Sequence, residues 1–204
     1  MKSTLFALCL LVSCATSFAQ VHKGDIEVFG ALGRFSMADL LLSVANRDED
    51  MKSSVTPPIY MAGCRYYVSR KIALGVTLGQ HSFATSGHNR YNAYSYSEYF
   101  DGVFVCIEMK RLYLNRPSVQ LYSTLAAGIT YMKGTYTKVT DDKYYPPATR
   151  NVSPWLPAFY WSPFGIHLGQ GKMGVFAEVG LGTRGLYNGG LTYSIQGRPR
   201  RGYY

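Results

Sequence analysis

Ile72-Ala73-Leu74-Gly75-Val76-Thr77-Leu78-Gly79 alternates large aliphatic and small residues without a break. A period of two is the mark of a strand whose successive side chains point to opposite faces. One face carries Ile72, Leu74, Val76 and Leu78, the other Ala73, Gly75, Thr77 and Gly79. A soluble barrel turns its apolar face inward and puts charged side chains outside. Here the face opposite the aliphatics is small and nearly free of charge. Small residues suit the crowded concave side of a narrow barrel. The large aliphatics then point outward, where only hydrocarbon leaves them uncovered. Unpaired backbone groups in hydrocarbon cost several kcal/mol each, so such a sheet has to close.

The same alternation recurs on both sides of this stretch. In Gln120–Thr130, Leu121, Ser123, Leu125, Ala127 and Ile129 share one face. In Met173–Arg184, Met173, Val175, Ala177, Val179 and Leu181 do so. Weaker copies lie at Asp25–Arg34, Ile59–Ser69, Asp101–Arg111, Pro157–Leu168 and Gly190–Gln196. The connections alternate as well. Long stretches at about 35–58, 82–99 and 137–154 are separated by short turns at Ser69-Arg70-Lys71, Asn115-Arg116-Pro117 and Gly169–Lys172. Only the last loop, near Asn188-Gly189, breaks the rhythm. Long and short connections in turn are the organisation of a barrel with short periplasmic turns and longer outer loops. The expected fold is all-β, an eight-stranded antiparallel up-and-down transmembrane β-barrel preceded by a signal peptide.

The composition agrees. The chain has 204 residues, 47% hydrophobic and only 16% charged, which excludes a disordered protein. Its length allows roughly one domain. A helical membrane protein is the competing reading. Asn151–Gly171 is uncharged and long enough, but Pro154 and Pro157 interrupt a helical ladder. Ile72–Asn89 carries Gly, Thr, Gln, Ser and two His, and neither stretch reads as a spanning helix.

The first residues form a secretory signal. Lys2 supplies the positive region, Leu5–Val12 the short apolar core, and Ser17-Phe18-Ala19 small residues three and one positions before the cut. The expectation is a signal peptide 1–19, cleaved after Ala19, ahead of a barrel domain 20–204. A second reading takes Leu11-Val12-Ser13-Cys14 as a lipobox with lipidation at Cys14. Of the cysteines beyond the signal, Cys64 and Cys106 are too few for a disulfide framework or a metal site.

Aromatic residues crowd the outer strand ends: Tyr91, Tyr94, Tyr96, Tyr99 and Phe100, then Tyr131 and Tyr136, then Trp155, Phe159, Tyr160 and Trp161. Amphipathic rings at headgroup level form such girdles. Pro163-Phe-Gly-Ile-His-Leu-Gly, Gly174-Val-Phe-Ala-Glu-Val-Gly-Leu-Gly and Gly189-Gly-Leu-Thr-Tyr-Ser resemble the closing half of small bacterial outer-membrane β-barrel proteins, the OmpX/OmpW-like porin-family group. Leu121-Tyr-Ser-Thr-Leu-Ala-Ala-Gly-Ile-Thr-Tyr is similar to the group's mid-barrel strand. The resemblance covers about half of the mature chain. It implies the outer membrane of a Gram-negative bacterium, contact with outer-membrane lipids and the assembly machinery, and hardly any activity. Such barrels usually finish on a terminal aromatic. Here a basic tail, 197–204, follows the last strand and ends on Tyr204.

On this phase Glu27, Arg65, Glu108, Lys110, Glu178 and Arg184 face the lumen, with His81 and His167 near its ends. Three acids and three bases suit a buried ion-pair network, because buried charges need partners. A gated conduction path is the sharper alternative. Catalysis is not expected. His81 and Ser82 are adjacent and point to opposite faces, and no zinc spacing, phosphate loop or triad appears. No cofactor and no metal are expected. The basic turn residues Arg70, Lys71, Arg116 and Lys172 would meet phospholipid headgroups or plain solvent. Nucleic acid has no support beyond charge. In the first long loop Ser36 is placed to cap a short helix, Leu40-Leu41-Leu42 to plug the mouth or touch a partner, and Asp48-Glu49-Asp50 to stay in water. The reading is a monomeric barrel with a structural, adhesive or interaction role through its surface loops, contacting an extracellular ligand or protein there. The alternatives are a small-solute porin or channel and, after it, a soluble exported ligand-binding barrel.

Overall fold

A computed structural model gives the fold and describes residues 21–35, 50–53, 57–89, 94–140, 148–170 and 172–197. The signal segment with its cleavage after Ala19, Cys14, Ser36, Leu40–Leu42 and the tail beyond residue 197 lie outside the described residues. Ten strands follow one another: β1 (Ile26–Arg34), β2 (Asp50–Ser53), β3 (Ile59–Tyr67), β4 (Ile72–Asn89), β5 (Tyr94–Asn115), β6 (Val119–Thr140), β7 (Ala148–Val152), β8 (Trp155–Gln170), β9 (Met173–Gly182) and β10 (Tyr187–Ile195). Eight of them form an antiparallel ring in the order β1-β3-β4-β5-β6-β8-β9-β10. β10 pairs back onto β1 from Ile26↔Ile195 to Arg34↔Tyr187, so the sheet is a closed eight-stranded barrel.

The alternation decides what lies inside. Leu74, Val76, Leu125, Ile129, Val179 and Leu181 are between 40% and 54% exposed on the outer face. The inner face places glycines directly across from large side chains. Phe29 pairs with Gly63, Phe104 with Gly79, and Tyr122 with Gly165. Each ring lies over its glycine, which fits eight strands' worth of inward side chains into one narrow lumen. Tyr67, Ala73, Leu112 and Tyr122 fill the end that carries the short turns, and Val21, ahead of β1, packs among them. Ile59, Met61, Phe104 and Ala158 fill the lumen towards the other end.

The strands are unequal. β1, β3 and β10 have nine residues each and β9 has ten, about what a tilted strand needs to cross a bilayer. β4 has 18, β5 and β6 have 22 each, and β8 has 16. β4 runs on to Asn89 past Gln80, its last partner on β3, while staying paired with β5. At a rise of roughly 3.4 Å per residue that is about 30 Å of additional ladder. β2 joins this extension on β4 and β7 joins it on β6, giving a wall β2-β4-β5-β6-β7 on one side of the barrel.

This wall corrects the expected loops. Residues 82–89 and 94–99 are strand, residues 137–140 continue β6, and β2 and β7 occupy parts of 35–58 and 137–154. Their polar alternation looks like loop because neither face needs to be apolar above a membrane, yet cross-strand hydrogen bonds still form there. Asn188-Gly189 belongs to β10, and the connection is Thr183–Leu186. Gly182 (φ 131°) and Gly185 (φ 91°) adopt the left-handed backbone that ends β9 early. The proline objection to Asn151–Gly171 as a helix has a counterpart in the strand, because Pro163 sits in the bulge between Trp161 and Phe164.

Gly165→Ala would place a methyl 2.6 Å from the ring of the fully buried Tyr122, whereas Gly30→Ala on the outer face meets nothing within 4 Å. The first should cost about 1–3 kcal/mol through overpacking, and the second should be close to neutral. Urea unfolding of the refolded barrels compares them. Equal midpoints would contradict the packing.

Candidate functional site

The lumen holds one concentrated polar feature. β1 contributes Glu27, β3 Arg65, β5 Glu108 and Lys110, β9 Glu178, and the β9–β10 turn Arg184. All six are buried. Arg65 is the hub. Its Nη1 donates to Glu27 Oε1 at 2.7 Å, its Nε donates to Glu108 Oε1 at 2.5 Å, and its Nη2 lies 3.7 Å from Glu178. Lys110 Nζ donates to both oxygens of Glu27, at 3.1 and 3.0 Å. Arg184 pairs with Glu108 and donates to Thr77 Oγ1 at 2.5 Å.

Neutral groups complete the shell. Tyr67 donates to Glu27 at 2.8 Å and Thr77 to Glu108 at 2.8 Å. Thr124 and Tyr160 each donate to Glu178 at 3.1 Å, and Asn188 donates to the Tyr160 hydroxyl at 2.6 Å. Aromatic faces cover the cations. Arg65 lies 4.1 Å from the Phe29 centroid, Lys110 4.3 Å from Tyr122 and Arg184 5.0 Å from Tyr160. Charges taken from water are tolerated only when paired and hydrogen-bonded. Here every carboxylate has a cation and at least one hydroxyl donor. The apolar groups described above lie on both sides of this layer.

The structure brings the six sequence-predicted residues together. It differs on Arg184, which lies in the turn rather than on a strand face and enters the lumen from there. It also differs on Tyr160, expected in the girdle but fully buried on Glu178. Outside, the Tyr131 and Trp155 rings meet at a tilt with centroids 4.9 Å apart, Tyr99 and Phe159 are exposed near the same end, and Trp161 is exposed further along β8, where it pairs with Leu125. Tyr94, Tyr96 and Tyr136 lie in strands, and Tyr91 falls outside the described residues. His81 is buried against Phe104, and His167 shares a 2.7 Å hydrogen bond with Thr192. Sequence reasoning missed Tyr67, Thr77, Thr124 and Asn188. Strand parity puts the first three on the inward face, but a lone hydroxyl carries no signal of its partner.

Ser82 donates to Asp101 at 3.2 Å, as Gln80 does at 3.1 Å, while His81 points to the opposite side. Among the described residues no group of three His, Cys, Asp or Glu could hold a metal ion.

No protein-family model and no curated protein matches the chain. Among solved structures the chain is similar to the N-terminal β-barrel domain of Pseudomonas aeruginosa OprF, at 10% identity and a TM-score of 0.49, over 86% of this chain and all of that one. It is also similar to Ail, the attachment invasion locus protein of Yersinia pestis, at 13% identity and a TM-score of 0.45, over 85% of this chain and 99% of the other. The same protein in complex with the heparin analogue sucrose octasulfate matches at 12% identity and a TM-score of 0.40. The barrel described above rests on this chain's own strand pairing.

Glu108 is held by two guanidinium groups, whereas Glu178 faces one at 3.7 Å and otherwise accepts from neutral hydroxyls. Glu108→Gln should therefore cost about 3–5 kcal/mol of barrel stability, as expected when one partner of a buried pair is removed. Glu178→Gln should also destabilise, but by less. Denaturant unfolding in lipid vesicles measures both, and the reverse order would contradict the hub arrangement.

Proposed function

We propose that the chain is an outer-membrane β-barrel protein of a Gram-negative bacterium. Its barrel is a closed anchor, and its role is structural, adhesive or interactive through the wall and loops above the outer rim. The observation that carries this reading is the inversion of ordinary packing. Large aliphatics cover the outside while the paired charges fill the middle. In water such a surface would be a far larger apolar patch than soluble monomers expose. In a bilayer it is the face the solvent requires.

The filled lumen supports an anchor over a channel. A solute would have to displace aromatic rings on both sides of the charge layer and separate buried ion pairs. The wall supports an interaction role, because its strands exceed what crossing needs and offer backbone edges at β2 and β7. No catalytic activity, cofactor or metal enters the reading. A small-solute channel is the second reading. It draws on buried polar atoms in both halves of the lumen, Thr130 Oγ1 and Gln120 Oε1, which find no hydrogen-bond partner among the described residues.

The purified protein should need detergent for extraction and should migrate differently on gels before and after heating. Planar-bilayer conductance should stay near background, for the wild type and for Glu178→Gln alike. Extraction without detergent would overturn the membrane reading. A large, stable wild-type conductance would replace the anchor with the channel.

A further inference from the structure

The positive charge of this chain is not spread evenly. Inside the barrel three acids balance three bases. At the end with the short turns, Lys23, Arg70, Lys71, Arg111, Arg116 and Lys172 are all exposed. Among the described residues none of the six makes a salt bridge. Among the described residues the one acid beside these turns, Asp25, is buried, and its carboxylate is occupied: Oδ2 accepts the His22 amide at 2.7 Å and Oδ1 the Gly197 amide at 3.0 Å.

The six positions surround the barrel instead of gathering on one side. Lys23 precedes β1, Arg70 and Lys71 join β3 to β4, Arg111 and Arg116 lie at the β5–β6 end, and Lys172 joins β8 to β9. A second feature shares this level. Tyr66, Tyr113 and Tyr193 are exposed on the outer face near the same turns. Tyr113 lies between Arg111 and Arg116 in the chain, and Tyr193 pairs with Met173, the neighbour of Lys172. Exposed tyrosines on an aliphatic barrel mark the depth at which hydrocarbon gives way to headgroups. The cations just beyond them then stand at phosphate level, within a Debye length of about 8–10 Å of any anionic lipid around the barrel.

Resting on the outer-membrane reading above, we propose that this collar is a binding surface for anionic phospholipids of the inner leaflet. A ring of separated cations fits a layer of headgroups on every side better than it fits one compact ligand. The collar selects phosphatidylglycerol-like over zwitterionic neighbours through their net charge. It also holds the turn end of the barrel at a fixed depth while the wall projects on the other side.

The test reconstitutes the full mature chain in phosphatidylcholine vesicles containing spin-labelled phosphatidylglycerol or spin-labelled phosphatidylcholine with the same acyl chains. The fraction of each label immobilised by the protein is then compared. The wild type should favour phosphatidylglycerol about two-fold or more at low salt and lose the preference in 1 M NaCl, where charges are screened within roughly 3 Å. The combined variant Arg70→Gln, Lys71→Gln, Arg111→Gln, Arg116→Gln should show none. Lys133→Gln, at the opposite end, should keep it. Equal immobilisation of the two labels by inserted wild type, or a preference that survives salt, overturns the collar alone. Failure of the wild type to insert overturns the membrane reading and the collar with it. The salt series uses only the wild type, so it decides the matter even where the combined variant fails to fold.

Discussion

The backbone pairing of β1 with β10 is the constraint on which the rest of the molecule depends. In hydrocarbon a sheet has no water to satisfy an open edge, so the last strand must find the first. Closing eight strands leaves an interior just wide enough for side chains. Large side chains cannot point inward from every strand at one level. The solution visible here is a pairing rule, with glycine opposite ring: Phe29 against Gly63, Phe104 against Gly79, Tyr122 against Gly165. Most of the described leucine, valine and isoleucine side chains go outside because the inside is already allotted, and because the surrounding solvent accepts them; Val21, Ile59 and Leu112 are buried instead.

The charged layer follows from the same geometry. An apolar filling of equal volume would hold such a lumen as well or better, since buried ion pairs seldom add net stability over well-packed apolar groups. What charges add is a definite register. Arg65 reaches Glu27, Glu108 and Glu178 only when β1, β3, β5 and β9 stand at their native offsets. A slip of one residue in any of these strands turns its charge out into lipid, at a cost of a few kcal/mol near the midplane. The layer therefore penalises misregistered barrels more than it stabilises the correct one.

Much of this architecture is legible in the sequence because period-two alternation reports parity directly. Parity alone places Glu27, Arg65, Glu108, Lys110 and Glu178 inside, and the layer then assembles itself from charge balance. Two kinds of feature were hidden. Where β4, β5 and β6 leave the apolar slab, both faces turn polar, the alternation in hydrophobicity fades and strand looks like loop. Tyr160 was hidden for another reason. It sits between Phe159 and Trp161, both exposed, and an amphipathic ring serves equally at a membrane interface or as a buried hydroxyl donor. Only the parity of its own strand tells the two apart, and Pro157 and Pro163 blur that parity. Arg184 reaches Glu108 and Thr77 although its strand has already ended, from the turn in which Gly182 and Gly185 take positive φ.

The aliphatic outer face is the one that meets acyl chains. The chain's own tryptophans report on this, since Trp155 and Trp161 both lie exposed on β8. The measurement is tryptophan fluorescence, excited selectively over tyrosine, of the Trp155→Phe variant, which leaves Trp161 as the one tryptophan, in vesicles whose lipids carry bromine along the acyl chain. Strong quenching by the brominated chains and little by aqueous iodide is the expected result. Quenching by iodide with none by the brominated lipid would contradict it.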